Sequence, residues 1–157
     1  MSKFDALNLL GTYFGESALQ QLPADLQYEG APEVKMGERN AAAEFKKDGL
    51  EITFTLESAL DVKQRDYPDG SLVVSNFFFH GEVDHGYTPY KHEPPFGISF
   101  GMNKKSVEKV LGEATWTNPN GTLQRWDRKG HCATVRFSSA GVAELIGCQL
   151  PNRFTHK

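Results

Sequence analysis

The sequence predicts an α+β protein: two helix-plus-antiparallel-meander repeats forming one curved antiparallel sheet with the helices on one face. Three observations carry this expectation. The stretch EFKKDGLEITFTLE (44–57) is a hairpin, with Asp48-Gly49 as its turn and Leu50, Ile52, Phe54 and Leu56 alternating with Glu51, Thr53 and Thr55. The pattern returns 81 residues on (130 minus 49), where Phe45 falls on Trp126, Gly49 on Gly130, and Ile52, Phe54 and Leu56 on Ala133, Val135 and Phe137. Ahead of the hairpins lie two short apolar segments, ALNLLG (6–11) and VEKVLG (107–112), each closed by a glycine suited to a left-handed helix cap.

Taken in order, Ser2-Lys3-Phe4-Asp5 resembles a capping box with Asp in place of Glu, opening a first helix through Leu10. Ser17 can cap a second short helix through Leu22, which Pro23 stops. Residues 23–40 have weak periodicity and read as a long loop. After the hairpin, Tyr67-Pro68-Asp69-Gly70 is a turn. SLVVSNFFFH (71–80) is a third strand, with Val73, Phe77 and Phe79 on one face and Leu72, Val74 and Phe78 on the other. Such a strand is either central and covered on both sides or offers an aromatic face to a partner. Gly97 and Gly101 flank a strand-like apolar stretch, and Asn103 caps a helix carrying Val107, Val110 and Leu111 with Gly112 as its stop. A strand entering the Gly130 turn at Trp126–Lys129, a strand through Phe137, a Ser139-Ala140-Gly141 turn and a last strand from Val142 to Leu150 complete the chain. Neither half is large enough to be comfortable alone. The expectation is one domain over 1–157, with a first repeat of about 1–81, a linker loop of 82–95 and a second repeat of about 96–151.

Composition narrows the class. An apolar fraction of 39% supports a core, and the mean hydropathy of −0.47 is that of a soluble protein. No apolar run approaches the roughly 20 residues that span a bilayer. The start, MSKFDALNLLGTYFGESALQ, lacks the basic and small-residue regions of a signal peptide, so the expected location is cytoplasmic, with no membrane partner. Cys132 and Cys148 make neither a disulfide framework nor a zinc knuckle. On strand parity Cys148 is a small core residue, and Cys132 lies on the opposite, potentially exposed side.

The net charge of −3 hides an asymmetry: residues 1–93 carry 16 Asp and Glu against 8 Lys and Arg, and residues 94–157 carry 4 against 9. Arg125, Arg128, Lys129 and Arg136 with Trp126 have the residue types of a base-stacking patch. The overall acidity argues instead for no nucleic-acid partner. An acidic half suits a basic protein partner, because complementary charge steers association.

The segment NFFFHGEVDHGYTPYKHE (76–93) concentrates the chemistry. His80, Asp84, His85 and His92 are acceptable metal ligands, and a small metal-dependent enzyme using this loop is the alternative reading. Their spacing fits no helical His pair and no C-x-x-C knuckle, and the surrounding glycines and prolines frame ligands poorly. There is no G-x-S-x-G elbow, no distinguishable acid/base pair and no phosphate-binding glycine motif. The expectation is therefore no enzyme, no cofactor and no metal.

PPFGISFGMNKKSVEKVLGEATWTN and RWDRKGHCATVRFSSAGVAELIGCQLP, together with ALNLLGTYFGESALQQL and FFFHGEVDHGYTPYKHEPPFG, resemble a family of small bacterial immunity-type proteins. In that family a PFGLSFG strand leads to a polar cap, a short helix ending in LG-P, and a hairpin of the form W-RYD then GY-L-V-Y. The resemblance covers most of the chain, and its motifs are structural. The repeated unit is also similar to the fold of beta-lactamase inhibitor protein and of small outer-membrane lipoproteins. Glu113-Ala114 departs from the pattern, which has a proline after the glycine, and His80, His85 and His92 are not part of it. The resemblance implies a protein that binds and inhibits a cognate antibacterial toxin of a polymorphic, type VI or contact-dependent system. It implies no catalytic residues and does not identify the contacts.

The combined expectation is an immunity protein, monomeric or weakly dimeric, that occludes the active site of a basic, nuclease-type toxin. Asp66, Tyr67, Asp69, Glu82, Asp84, Tyr87 and Tyr90 are the expected interface residues, carboxylates steering and tyrosines anchoring. The structural alternative for Tyr87 and Tyr90 is a clasp at the junction of the halves.

Overall fold

The computed structural model describes residues 4–23, 26, 32–82 and 85–151. Over these residues the chain forms an antiparallel sheet of seven strands. They are β1 (Asn40–Phe45), β2 (Leu50–Leu56), β3 (Leu72–His80), β4 (Trp116–Thr117), β5 (Leu123–Arg128), β6 (His131–Phe137) and β7 (Ala143–Gln149). Two α-helices are described, α1 (Ala6–Leu9) and α2 (Lys104–Leu111). The order across the sheet is β1-β2-β3-β7-β6-β5-β4, so two meanders meet through their last strands, β3 and β7.

The alternation in sequence becomes rows of side chains. Ile52 pairs with Phe77, Phe77 with Cys148, Cys148 with Ala133 and Ala133 with Trp126. Leu50, Phe79, Ile146 and Val135 form the next row. Every residue of both rows is buried, and the large ones, such as Ile52, Phe77, Leu50 and Ile146, contribute about 1.5–3 kcal/mol each on burial. Trp126 is fully buried, and its Nε1 donates to Gly112 O at 2.9 Å, fixing the end of α2 to β5. Phe4, just ahead of α1, lays its ring 5.6 Å from that of Phe77.

Several local expectations change. The register skips between Thr53 and Phe54, so Thr53 faces Asn76, Phe54 faces Val74, and Ser75 is the extra residue of a bulge. The bulge reverses side-chain parity, and Val74 therefore packs opposite Phe54 in the core, away from Phe78. β3 is central, between β2 and β7. Cys132 is as buried as Cys148, correcting its expected exposure. The α1 cap is Asp5, whose Oδ1 accepts from Asn8 N, and the expected box at Ser2 falls on residues outside those described. Residues Ser17–Gln21 form a 3-10 turn, with no side-chain cap at the preceding Glu16, rather than an α-helix started by Ser17. The stretch around Gly97 is a 3-10 turn (Pro95–Gly97) leading to buried Ile98, not a strand. The α2 expectation holds: Asn103 Oδ1 accepts from Ser106 N at 2.9 Å, and Gly112 stops the helix at φ 82°. Among the described residues, no helix is long and apolar enough to cross a membrane.

Candidate functional site

The loop after β3 is built into the fold. Tyr87 stacks on His80 with ring centroids 3.8 Å apart, and its hydroxyl donates to Glu51 Oε2 at 3.0 Å. Lys46 Nζ lies 5.7 Å over the same ring. The Thr88 hydroxyl donates to Lys47 O at 2.6 Å, and Thr88 N to Lys46 O at 2.8 Å, tying the loop to the β1–β2 turn. Tyr90 N donates to His80 O, and the Tyr90 ring meets Phe79 edge-on at 4.8 Å. Tyr87 and Tyr90 are only 3% and 6% exposed. Both rings hold the loop against the sheet, which is the clasp offered as the structural alternative. Burial, with Glu51 beside it, pushes the Tyr87 phenol far up, and burial pushes that of Tyr90 up to about 12.

Glu82 is exposed at the start of this loop. Asp84 lies outside the described residues. Among the described residues, no group of three His, Cys, Asp or Glu side chains converges to hold a metal. His80 stacks on Tyr87, and His92 meets the edge of Tyr90 at 5.7 Å.

The β2–β3 connection is the better-formed surface. Glu57, 9% exposed, accepts from Lys63 Nζ at 3.0 Å and from Gly70 N at 3.3 Å. The Lys63 hydrogen bond, more than any other interaction, holds the Glu57 carboxyl below its ordinary 4.5. Gln64 Nε2 donates to Gly130 O at 2.7 Å, reaching across to the β5–β6 turn. Arg65 pairs with Glu16 and lies over the rings of Tyr13 and Tyr67, at 5.7 and 5.4 Å. Burial alone would raise the Glu16 carboxyl, but Arg65 and the Tyr13 amide outweigh it and hold the group low. The Tyr67 hydroxyl donates to Gly11 O at 2.8 Å, and the residue is half-buried. Both cations of the connection, Lys63 and Arg65, are thus engaged in ion pairs. Asp61, Asp66 and Asp69 are exposed.

Asp61 also lines a groove of about 320 Å³ on the face of the sheet opposite the Ile52–Phe77–Cys148 row. Its floor is polar: Thr53, Thr55, Ser75, Asn76 and Gln149, with Arg39 and Asn40 at the side. Thr55 Oγ1 lies 2.7 Å from both Asn40 Oδ1 and Ser75 Oγ. Asn76 Oδ1 is buried with no donor against it among the described residues. Sequence reasoning missed this groove. The Thr53/Thr55 alternation was visible, but the register that sets Ser75, Asn76 and Gln149 beside it was not.

Of the residues around Trp126 with base-stacking types, Arg128 and Lys129 are exposed, whereas the ring itself and two of the arginines are engaged within the fold. Trp126 is buried, Arg125 Nε binds Asp127 at 2.9 Å, and Arg136 Nε binds Glu144 at 2.9 Å. Compared with protein-family models, curated proteins and solved structures, the chain matches none.

Chemically, the described surface offers recognition groups. It presents an acidic, braced loop beside a floor of hydroxyls and amides, suited to holding a partner by hydrogen bonds and charge.

Proposed function

We propose that this is an immunity-type binding protein, which sequesters a basic antibacterial toxin by covering the toxin's active site. The observation that carries the reading is the braced β2–β3 connection. It holds Asp61, Asp66 and Asp69 outward while its own cations are neutralised, and it borders the polar groove. A preorganised acidic surface needs little ordering on association, and its charge accelerates encounter with a basic partner. The resemblance of the PPFGISFG and RWDRKGHCATVRF segments to immunity-type proteins supports the same reading.

A duplicated architecture also supports it. In our reading the chain is two helix-plus-meander repeats forming one curved sheet, with the helices on one face and the polar groove on the other. β2 and β6 are offset by 81 residues (131 minus 50), and both follow a glycine of positive φ, Gly49 and Gly130. Phe77 and Cys148 pair at the join.

The test is co-purification with the product of the neighbouring toxin-like gene, followed by rapid-mixing kinetics. A stoichiometric complex that extinguishes the toxin's activity is expected. Reversing Asp66 and Asp69 to Lys should slow association by roughly tenfold and weaken its salt dependence. An unchanged association rate removes the β2–β3 loop from the interface. Absence of any complex removes the immunity reading itself.

A further inference from the structure

The polar groove holds a row of side chains that the fold itself does not use. Thr53, Asn76 and Gln149 stand opposite one another on β2, β3 and β7, and all three line the groove of about 320 Å³. Among the described residues, Asn76 Oδ1 is buried without a donor, and no hydrogen bond engages the side-chain amide of Asn76 or of Gln149. An unmatched polar group at such a depth costs stability until something completes it. The volume lies at the small end of ligand-binding clefts. We infer that this groove binds one unit of a neutral saccharide.

The neighbouring polar groups, by contrast, are spent on one another. Thr55 Oγ1 lies 2.7 Å from both Asn40 Oδ1 and Ser75 Oγ, and Ser75 Oγ lies 3.2 Å from Thr53 O. This network fixes one wall before any ligand arrives, while the two amides beside it stay uncommitted. The backbone beneath them is already paired, because β3 lies between β2 and β7. A peptide strand therefore finds no open ladder under this row, and recognition falls to the side chains.

The chemistry selects a neutral polyol. Arg39 and Asp61, both exposed, also line the groove and bring one charge of each sign, so neither an anion nor a cation gains a net attraction. An apolar ligand would desolvate the two amides without satisfying them. No aromatic ring is among the described lining residues, so a nucleobase finds no stacking partner. Asp61 accepts, Arg39 donates, and the hydroxyls and amides do both. Adjacent ring hydroxyls of a sugar, each a donor and an acceptor, match that mixture. Leu60, Leu150 and Pro151 supply an aliphatic wall for the C–H face of the ring. A free sugar and a sugar unit of a polymer share this chemistry. The inference stands apart from the immunity reading, since a saccharide needs no toxin to bind here.

The experiment titrates the isotopically labelled protein with glucose, galactose, mannose and N-acetylglucosamine. At least one should shift the side-chain amide resonances of Asn76 and Gln149 saturably, with half-saturation on the order of 1 mM. Inorganic phosphate and N-acetylglycinamide at the same concentrations should leave those resonances in place. Maltotriose and N-acetylchitotriose separate the two sources. A gain over the monosaccharide beyond the statistical one marks a polymer, equal affinity per unit marks a free sugar, and both sustain the inference. The Asn76→Leu/Gln149→Met variant keeps side-chain size and removes the orphaned acceptor. Its thermal midpoint should not fall, and the sugar response at the Thr53 and Asp61 backbone amides should vanish. Asp61→Ala, at an exposed position, should weaken binding by roughly tenfold. No shift with any of the four sugars, equal shifts with phosphate or N-acetylglycinamide, or an unaltered response in either variant overturns the inference. Should sugar bind while no toxin complex forms, the immunity reading falls and the saccharide site stands.

Discussion

The Tyr87 ring lies flat on that of His80, 7° from parallel, and so joins the middle of the histidine-rich loop to the last residue of β3. The histidine-rich segment is therefore clasped to the sheet at this point. Replacing Tyr87 by Phe keeps the stack and removes only the hydroxyl that donates to Glu51, at a cost of about 1 kcal/mol. Replacing it by Ala empties a buried aromatic position and should cost about 3–5 kcal/mol. Urea denaturation separates the two. Equal losses would show that the ring contributes nothing to the clasp.

Gly49 and Gly130 occupy corresponding positions in the two hairpins, at φ 66° and 81°, but their surroundings differ. A Cβ on Gly49 would lie 2.4 Å from Thr88 O and 2.5 Å from Tyr90 N, whereas one on Gly130 meets only Gln64 Nε2, at 3.8 Å. Gly130→Ala should therefore cost about 1–2 kcal/mol, the left-handed backbone penalty alone. Gly49→Ala must also displace the crossing loop. It should cost more, and it should deprotect the Thr88 and Tyr90 amides in hydrogen exchange. Similar costs at the two sites would mean that the loop yields freely.

The same pair shows what was legible in the sequence. Asp48-Gly49 and Gly130 announced their turns because a positive φ leaves a local signature. The alternation through Ile52, Phe54, Val135 and Phe137 announced strands and their buried face. The bulge at Ser75 left no such mark. It reverses the parity of Val74, and it depends on how β2 and β3 align rather than on either strand alone. The burial of Tyr87, Tyr90 and Trp126 was hidden for a related reason. An aromatic in a loop or on an edge-side strand carries the same letter whether a neighbour covers it or not. The polar groove needed the strand order, since Thr53 and Gln149 are far apart in sequence and meet only through β3.

Burial of both thiols makes a kinetic prediction. Cys132 and Cys148 are fully buried, and burial pushes the Cys148 thiol well above its ordinary 9.0. The thiolate is the reactive form, so both cysteines should resist an aromatic disulfide reagent in the native protein. Labelling should proceed only as fast as the protein opens, becoming independent of reagent concentration at high reagent. Fast labelling of one equivalent without denaturant would place Cys132 at an accessible surface.

Alkaline pH should destabilise the fold through the same buried groups. Burial raises the Tyr90 phenol from 10.0 to about 12, and the Tyr87 phenol and Cys148 thiol move the same way. A raised acid keeps its proton when folded and loses it earlier when unfolded. Its stabilisation is complete below the unfolded value and declines as pH rises toward the folded one. The decline should begin near the ordinary cysteine value of 9.0 and steepen through the ordinary tyrosine value of 10.0. Tyr90→Phe removes one of these acids while keeping its ring against Phe79, so it should lose less stability than wild type between about pH 8 and pH 11. Denaturant midpoints across that range measure the difference. Parallel curves for the two proteins would show that Tyr90 ionises equally well folded and unfolded.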